Sequence, residues 1–146
     1  MRIFLLTLVL VVSLLPVQAR LGETLEQCTT RYGAVVTRES DPMNVGDYKV
    51  LYKTNGYIIE VIFFNGKAAH EVFGVLGGRA LSDAELETLL GFESSNGNSW
   101  LERDTIDAPH RIWDRQDKAR AVFNGGLLSL ETDDYHAAWS AKQMAQ

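Results

Sequence analysis

Between Tyr48 and Phe73, apolar and polar residues alternate with the two-residue period of β-strands. Two Asn-Gly pairs, Asn55-Gly56 and Asn65-Gly66, interrupt the alternation. Asn-Gly favours a two-residue hairpin turn because both central residues take positive φ. Counting outward from two tight turns predicts three antiparallel strands. One face collects Tyr48, Val50, Tyr52, Tyr57, Ile59, Val61, Phe63, Ala68, His70 and Val72. The other collects Lys49, Leu51, Lys53, Ile58, Glu60, Ile62, Phe64, Lys67, Ala69, Glu71 and Phe73. In this register Val61 opposes His70 and Glu60 opposes Glu71. A slip of one residue would exchange the faces of a strand.

Helical spacing frames this meander. Thr24 and Gln27 fit a capping box, Leu25, Cys28 and Tyr32 share one side, and Gly33 can end the helix. Ala34-Val35-Val36 predicts a brief strand, and 39–46 a loop. Ser82 and Glu85 form a second capping box, with Leu81 and Leu86 as hydrophobic staple. Leu86, Leu89 and Leu90 give that helix its buried stripe, and Gly91 ends it. Residues 94–99 read as a loop. Trp100-Leu101 and Arg111-Ile112-Trp113 read as short strands. Ala119–Phe123 and Gly126–Thr132 read as a hairpin around Asn124-Gly125. Residues 133–146 form a polar tail, with a short helix from Tyr135 and Trp139 folded back as one option.

The fold class that follows is α+β: an antiparallel meander sheet of about six strands, with two short helices packed on one face. Helix caps 58 residues apart (Thr24, Ser82) and turns 59 apart (Asn65, Asn124) suggest a tandem α-β-β-β duplication, with repeats over 22–76 and 81–132. One detail opposes it. Aligning the turns matches Phe123, on an apolar face, to Phe64 on the mixed face. A bulge at Gly126, or a repeat that is only apparent, would explain the mismatch.

The first nineteen residues change the compartment. Arg2 precedes an uncharged, mostly apolar run from Ile3 to Leu15, and Pro16 interrupts it before Val17-Gln18-Ala19. This is the pattern of a cleavable signal peptide, with cleavage between Ala19 and Arg20. The run is shorter than the ~20 apolar residues of a spanning helix. Residues 20–146 then form a single domain that does not span the membrane, periplasmic or secreted. The whole chain carries a net charge of −5. Losing Arg2 with the leader leaves 13 basic against 19 acidic residues, a net −6. That sign disfavours nucleic acid as a partner. Cys28 is the single cysteine, so the fold relies on its core rather than on an internal disulfide.

Gly22-Glu23-Thr24, a short helix reaching Tyr32-Gly33, and strands ending in Val61-Ile62-Phe63-Phe64-Asn65-Gly66 carry a resemblance. The chain resembles small exported bacterial α+β domains, the SmpA/OmlA group and the β-lactamase-inhibitory-protein-like domains. The resemblance covers 22–73 and, more weakly, 82–132. The chain departs from both groups: it lacks the lipid-attachment cysteine of the first and the further cysteines of the second. What the resemblance implies is a binding or scaffolding role in the envelope, without catalysis.

Chemistry-bearing residues are few. Cys28 lies on an apolar stripe, where a thiol behaves as a small hydrophobe rather than a nucleophile. His70 falls on the core face and reads as structural. Asp133, Asp134 and His136 suit a divalent cation by type but match no established spacing, and the carboxylates equally suit a helix N-terminus. Glu60 facing Glu71 admits three readings: an acid/base pair, a socket for a basic group of a partner, or two carboxylates screened by Lys49, Lys53 and Lys67. An exposed mixed face would present Ile58, Glu60, Ile62, Phe64, Glu71 and Phe73 as a partner-binding surface; covered by helices, it would be core. No catalytic, cofactor or metal motif is present. The expected function is a non-enzymatic binding or scaffolding module whose partner is another envelope or secreted protein. The alternative is a small hydrolase or ligand-binding protein that uses the Glu60/Glu71 face.

Overall fold

The computed structural model describes residues 20–41, 43–91, 98–104 and 110–146. The expected signal peptide and its cleavage site after Ala19 lie outside them, as does most of the 94–99 loop. Helix α1 (Leu25–Tyr32) leads to strands β1 (Thr37–Glu39), β2 (Tyr48–Thr54), β3 (Tyr57–Phe64) and β4 (Lys67–Val75). Helix α2 (Asp83–Gly91) opens the second half, followed by β5 (Leu101–Arg103), β6 (Arg111–Asp114), β7 (Arg120–Asn124) and β8 (Leu127–Glu131). A third helix, α3 (Asp133–Met144), ends the chain. The eight strands form one antiparallel sheet in the order β1-β2-β3-β4-β8-β7-β6-β5. The class is α+β, as the polarity pattern predicts.

Both capping boxes form. Gln27 N–H donates to Thr24 Oγ1 (3.3 Å) while Thr24 N–H donates to Gln27 Oε1 (2.9 Å). Glu85 N–H donates to Ser82 Oγ (3.3 Å) while Ser82 N–H donates to Glu85 Oε2 (2.8 Å). Cys28 and Tyr32 of α1 join Leu86, Leu89 and Leu90 of α2 over one sheet face, made of Val50, Tyr52, Ile59, Val61, Phe63, Phe73, Leu128 and Leu130. This is the main core. The first strand begins later than Ala34-Val35-Val36 suggests. Val36 N–H already reaches Leu51 O (2.8 Å), but the ladder runs from Thr37 to Glu39 along the exposed sheet edge.

The turn at Asn55-Gly56 sets the register expected, pairing Thr54 with Tyr57 and Val50 with Val61. Asn55 and Gly56 have φ of 48° and 84°, and Asn65 and Gly66 of 52° and 72°, as a two-residue hairpin turn demands. The second hairpin also starts as expected, with Phe64 opposite Lys67 and Phe63 opposite Ala68. It then departs. Ile62 pairs with His70, so Ala69 is an extra residue in β4, a bulge. Beyond it Val61 opposes Glu71, not His70, and Glu60 opposes Val72, not Glu71. The faces of β4 are exchanged from this point. Glu71 and Phe73 enter the main core, fully buried, and His70 and Val72 turn to the opposite face.

Two contacts account for the bulge. Ala68 exchanges hydrogen bonds with the segment before α1 (Gly22 N to Ala68 O and Ala68 N to Glu23 O, both 2.7 Å), while Ala69 O accepts from Thr132 N (2.9 Å). Consecutive alanines thus serve two different neighbours. The exchange also buries Phe73, edge-on to Tyr32 at 6.3 Å, where Val72 would otherwise stand.

The second half pairs regularly. Its last turn is Gly125-Gly126, with Asn124 opposite Leu127, one residue later than the Asn124-Gly125 turn expected. No bulge at Gly126 is needed: with the turns superposed at this position, Phe123 matches Phe63, and both face the main core. The tail is a longer helix than anticipated, and α3 lies on the face opposite α1 and α2. Its Tyr135 forms a second apolar cluster with Ile62 and Ala69, flanked by Val45 and Phe64.

Candidate functional site

The bulge and α3 together build a cleft. With its face exchanged, β4 presents His70 beside Glu60 and Ile62 of β3 and Glu131 of β8. Helix α3 lays Tyr135, His136 and Trp139 over them, and Met43 also lines the cleft. The cleft is open to solvent and has a volume of about 380 Å³.

Two anchors fix the helix. At its N-terminus Asp133 and Asp134 complement the helix dipole, and Asp134 Oδ1 accepts from Tyr135 N–H (2.9 Å). Near its C-terminus Lys142 Nζ donates to Met43 O (2.8 Å) and Asn44 O (3.0 Å). The loop it grips is organised by Asp41, whose buried carboxylate accepts the N–H groups of Met43, Val45 and Gly46 (3.0, 2.8 and 2.7 Å). Gly46 is obligatory there, because a Cβ would lie 2.4 Å from Ile62 Cγ2 and 2.7 Å from Phe63 O.

The polar groups of the cleft are in unequal states. Glu60 lies 3.2 Å from Lys49 Nζ and keeps about a third of its side chain exposed. Glu131 Oε1 lies 2.8 Å from His136 Nδ1, and the His136 ring lies against Trp139 at 6.4 Å. The His70 ring stacks on Tyr135 (5.5 Å, 15° between planes). Its Nδ1 is sealed from solvent and has no hydrogen-bond partner. Burial pushes the His70 imidazole below its ordinary value, against the upward pull of Glu131, Glu60 and Asp41. Burial pushes the Tyr135 phenol up to about 12, and the same three carboxylates push it further in that direction. A buried imidazole and a buried phenol thus sit in one negative field.

The six residues expected to share a partner-binding face divide. Glu60 lines the cleft. Ile62 is buried beneath Tyr135, and Phe64 is half-buried with its ring edge-on to Tyr135 at 6.1 Å. Ile58 is half-buried further along β3, opposite Gly74. Glu71 and Phe73 are on the other side of the sheet, so the Glu60/Glu71 pair does not exist. Glu71 receives a hydrogen bond from Tyr32 Oη (3.3 Å). With burial, its charge pushes both the Tyr32 phenol and the Cys28 thiol upward. Cys28 is fully buried, which fits the inert reading. Asp133, Asp134 and His136 do not converge. Among the described residues no three His, Cys, Asp or Glu side chains are arranged to hold a metal ion.

His70, Glu131, Tyr135, His136 and Trp139 are the cleft residues that sequence reasoning did not bring together. Their one legible signal is the i, i+4 spacing of Tyr135 and Trp139, which places both aromatics on one helix face. Among the described residues no helix is long and apolar enough to cross a membrane. Comparisons with protein-family models, with curated proteins and with solved structures returned no match to the chain.

Proposed function

We propose that this chain is an exported, non-catalytic binding module, and that its working site is the cleft between α3 and the sheet. The observation that carries the reading is the Nδ1 of His70, sealed and without a hydrogen-bond partner, in the wall of a cleft of about 380 Å³. That volume lies within the ~300–1,000 Å³ of small-molecule sites, and such sites combine apolar walls with a few convergent polar groups. Buried polar atoms are ordinarily paired, and exceptions concentrate where a ligand or water completes the set. The apolar run before Arg20 supports export.

Two measurements test the two halves of the reading. Protein recovered from a non-cytoplasmic fraction should begin at Arg20; an intact Met1 form would overturn export. A fragment mixture added to the labelled protein should shift the amide resonances of Glu60, His70, Glu131 and Trp139 selectively. Shifts spread over the surface, or none at all, would overturn the cleft as the site.

A further inference from the structure

The cleft also indicates the class of its ligand, an inference that rests on the binding reading above. Its charged lining is acidic. Glu60 and Glu131 contribute carboxylates from adjacent sides, and no lysine or arginine lines it. Lys49, which meets Glu60, lies outside the lining and also reaches toward Glu39 (3.8 Å). The remaining wall is His70, His136 (whose Nδ1 lies 2.8 Å from Glu131), Ile62, Met43 and the rings of Tyr135 and Trp139, which add an apolar surface with two electron-rich faces.

We propose that the cleft binds an organic cation, an ammonium group carried on an apolar body. An ammonium has three donors and no acceptor, and the cleft offers acceptors: two carboxylates and an imidazole. His70 matters doubly. Burial disfavours its positive form, which would repel a cation, and a neutral imidazole keeps one nitrogen that accepts. A cation near an indole or phenol face gains further from the ring quadrupole. A carboxylate ligand would meet the opposite: two like charges and no fixed cation in the lining.

Three probes of matched size separate the sources of affinity: 2-phenylethylammonium, phenylacetate and 2-phenylethanol, titrated into the purified exported protein at low salt and followed by amide and indole resonances. The ammonium should bind saturably with shifts at Glu60, His70, Glu131 and the Trp139 indole. Its affinity should exceed that of either of the other two by about tenfold or more, the value of a charge-assisted hydrogen bond. Added salt should narrow that gap. Glu60→Gln and Glu131→Gln should each cost most of the ammonium's preference over 2-phenylethanol. Amide resonances remote from the cleft should stay in place in both variants, which shows that the fold is kept. Equal or tighter binding of phenylacetate or 2-phenylethanol overturns the cation assignment and leaves the binding cleft standing. Failure of all three probes at a cleft that the fragment mixture does perturb also overturns the assignment. Failure of the fragment mixture itself overturns the reading beneath it.

Discussion

At the scale of single residues, His70 holds two opposed influences. Burial disfavours its charged form, while Glu60 on β3, Glu131 on β8 and Asp41 in the preceding loop favour it, with Tyr135 and His136 of α3 packed above. Burial prevails, so the native imidazole titrates below the ordinary 6.5. The unfolded chain then binds the proton more tightly than the native one. This contribution to stability is complete above about pH 6.5 and is lost as pH falls through 6.5 toward the lowered native value, by about 1.4 kcal/mol for each pKa unit of lowering. Urea denaturation between pH 7.5 and 5 should therefore show stability declining toward acid. His70→Phe, which keeps a ring on Tyr135, should flatten that part of the profile. An unchanged slope in the variant would mean that His70 is solvated and the cleft is open beneath α3. Sequence alternation placed His70 on the wrong face, because the single bulged residue that moves it leaves no mark on composition. Only the doubled alanine, Ala68-Ala69, coincides with it.

At the scale of elements, what was legible and what was not divide along local and non-local lines. Both capping boxes, the two Asn-Gly turns, the β2–β3 register and the Leu86/Leu89/Leu90 stripe follow from residues within a few positions of one another. The β4 bulge depends on Gly22, Glu23 and Thr132, which lie far from Ala68 and Ala69 in the chain. The docking of α3 depends on Lys142 reaching a loop 99 residues earlier. The mixed face looked bare because its cover comes from a helix of low amphipathicity whose one buried side chain is Tyr135. Ile62 decides the matter experimentally. It is 4% exposed beneath Tyr135. Ile62→Ala should cost about 2–4 kcal/mol, the range for a buried aliphatic truncated to alanine. A polar variant, Ile62→Ser, should cost at least as much, because its hydroxyl is also desolvated. Losses below about 0.5 kcal/mol, typical of surface sites, would show that α3 does not cover the sheet.

At the scale of the whole molecule, the two halves have the same order, one helix and then four strands, and they meet where β4 pairs with β8. Glu71 faces Leu130 and Phe73 faces Leu128 across that seam. The outer strands, β1 and β5, are three residues long, exposed throughout and charged, a design that discourages edge-to-edge association. The seam is the opposite: long-range and buried, and on its core side apolar but for Glu71. The main core crosses it without a break, joining Tyr32 and Phe73 of the first half to Leu86, Leu128 and Leu130 of the second. Neither half can bury these side chains alone, and a half of this size would be near the lower limit at which a core sustains a fold. The protein should therefore unfold in one cooperative step. With Trp100 and Trp139 replaced by Phe, Trp113, buried in the second half, reports on that half by fluorescence. Backbone circular dichroism reports on both. The two transitions should coincide in urea, with one midpoint and one slope. Leu130→Ala, at the seam, should lower both signals together by about 2–5 kcal/mol. Separate midpoints for the two signals would show instead that the halves are independent units joined by a dispensable contact.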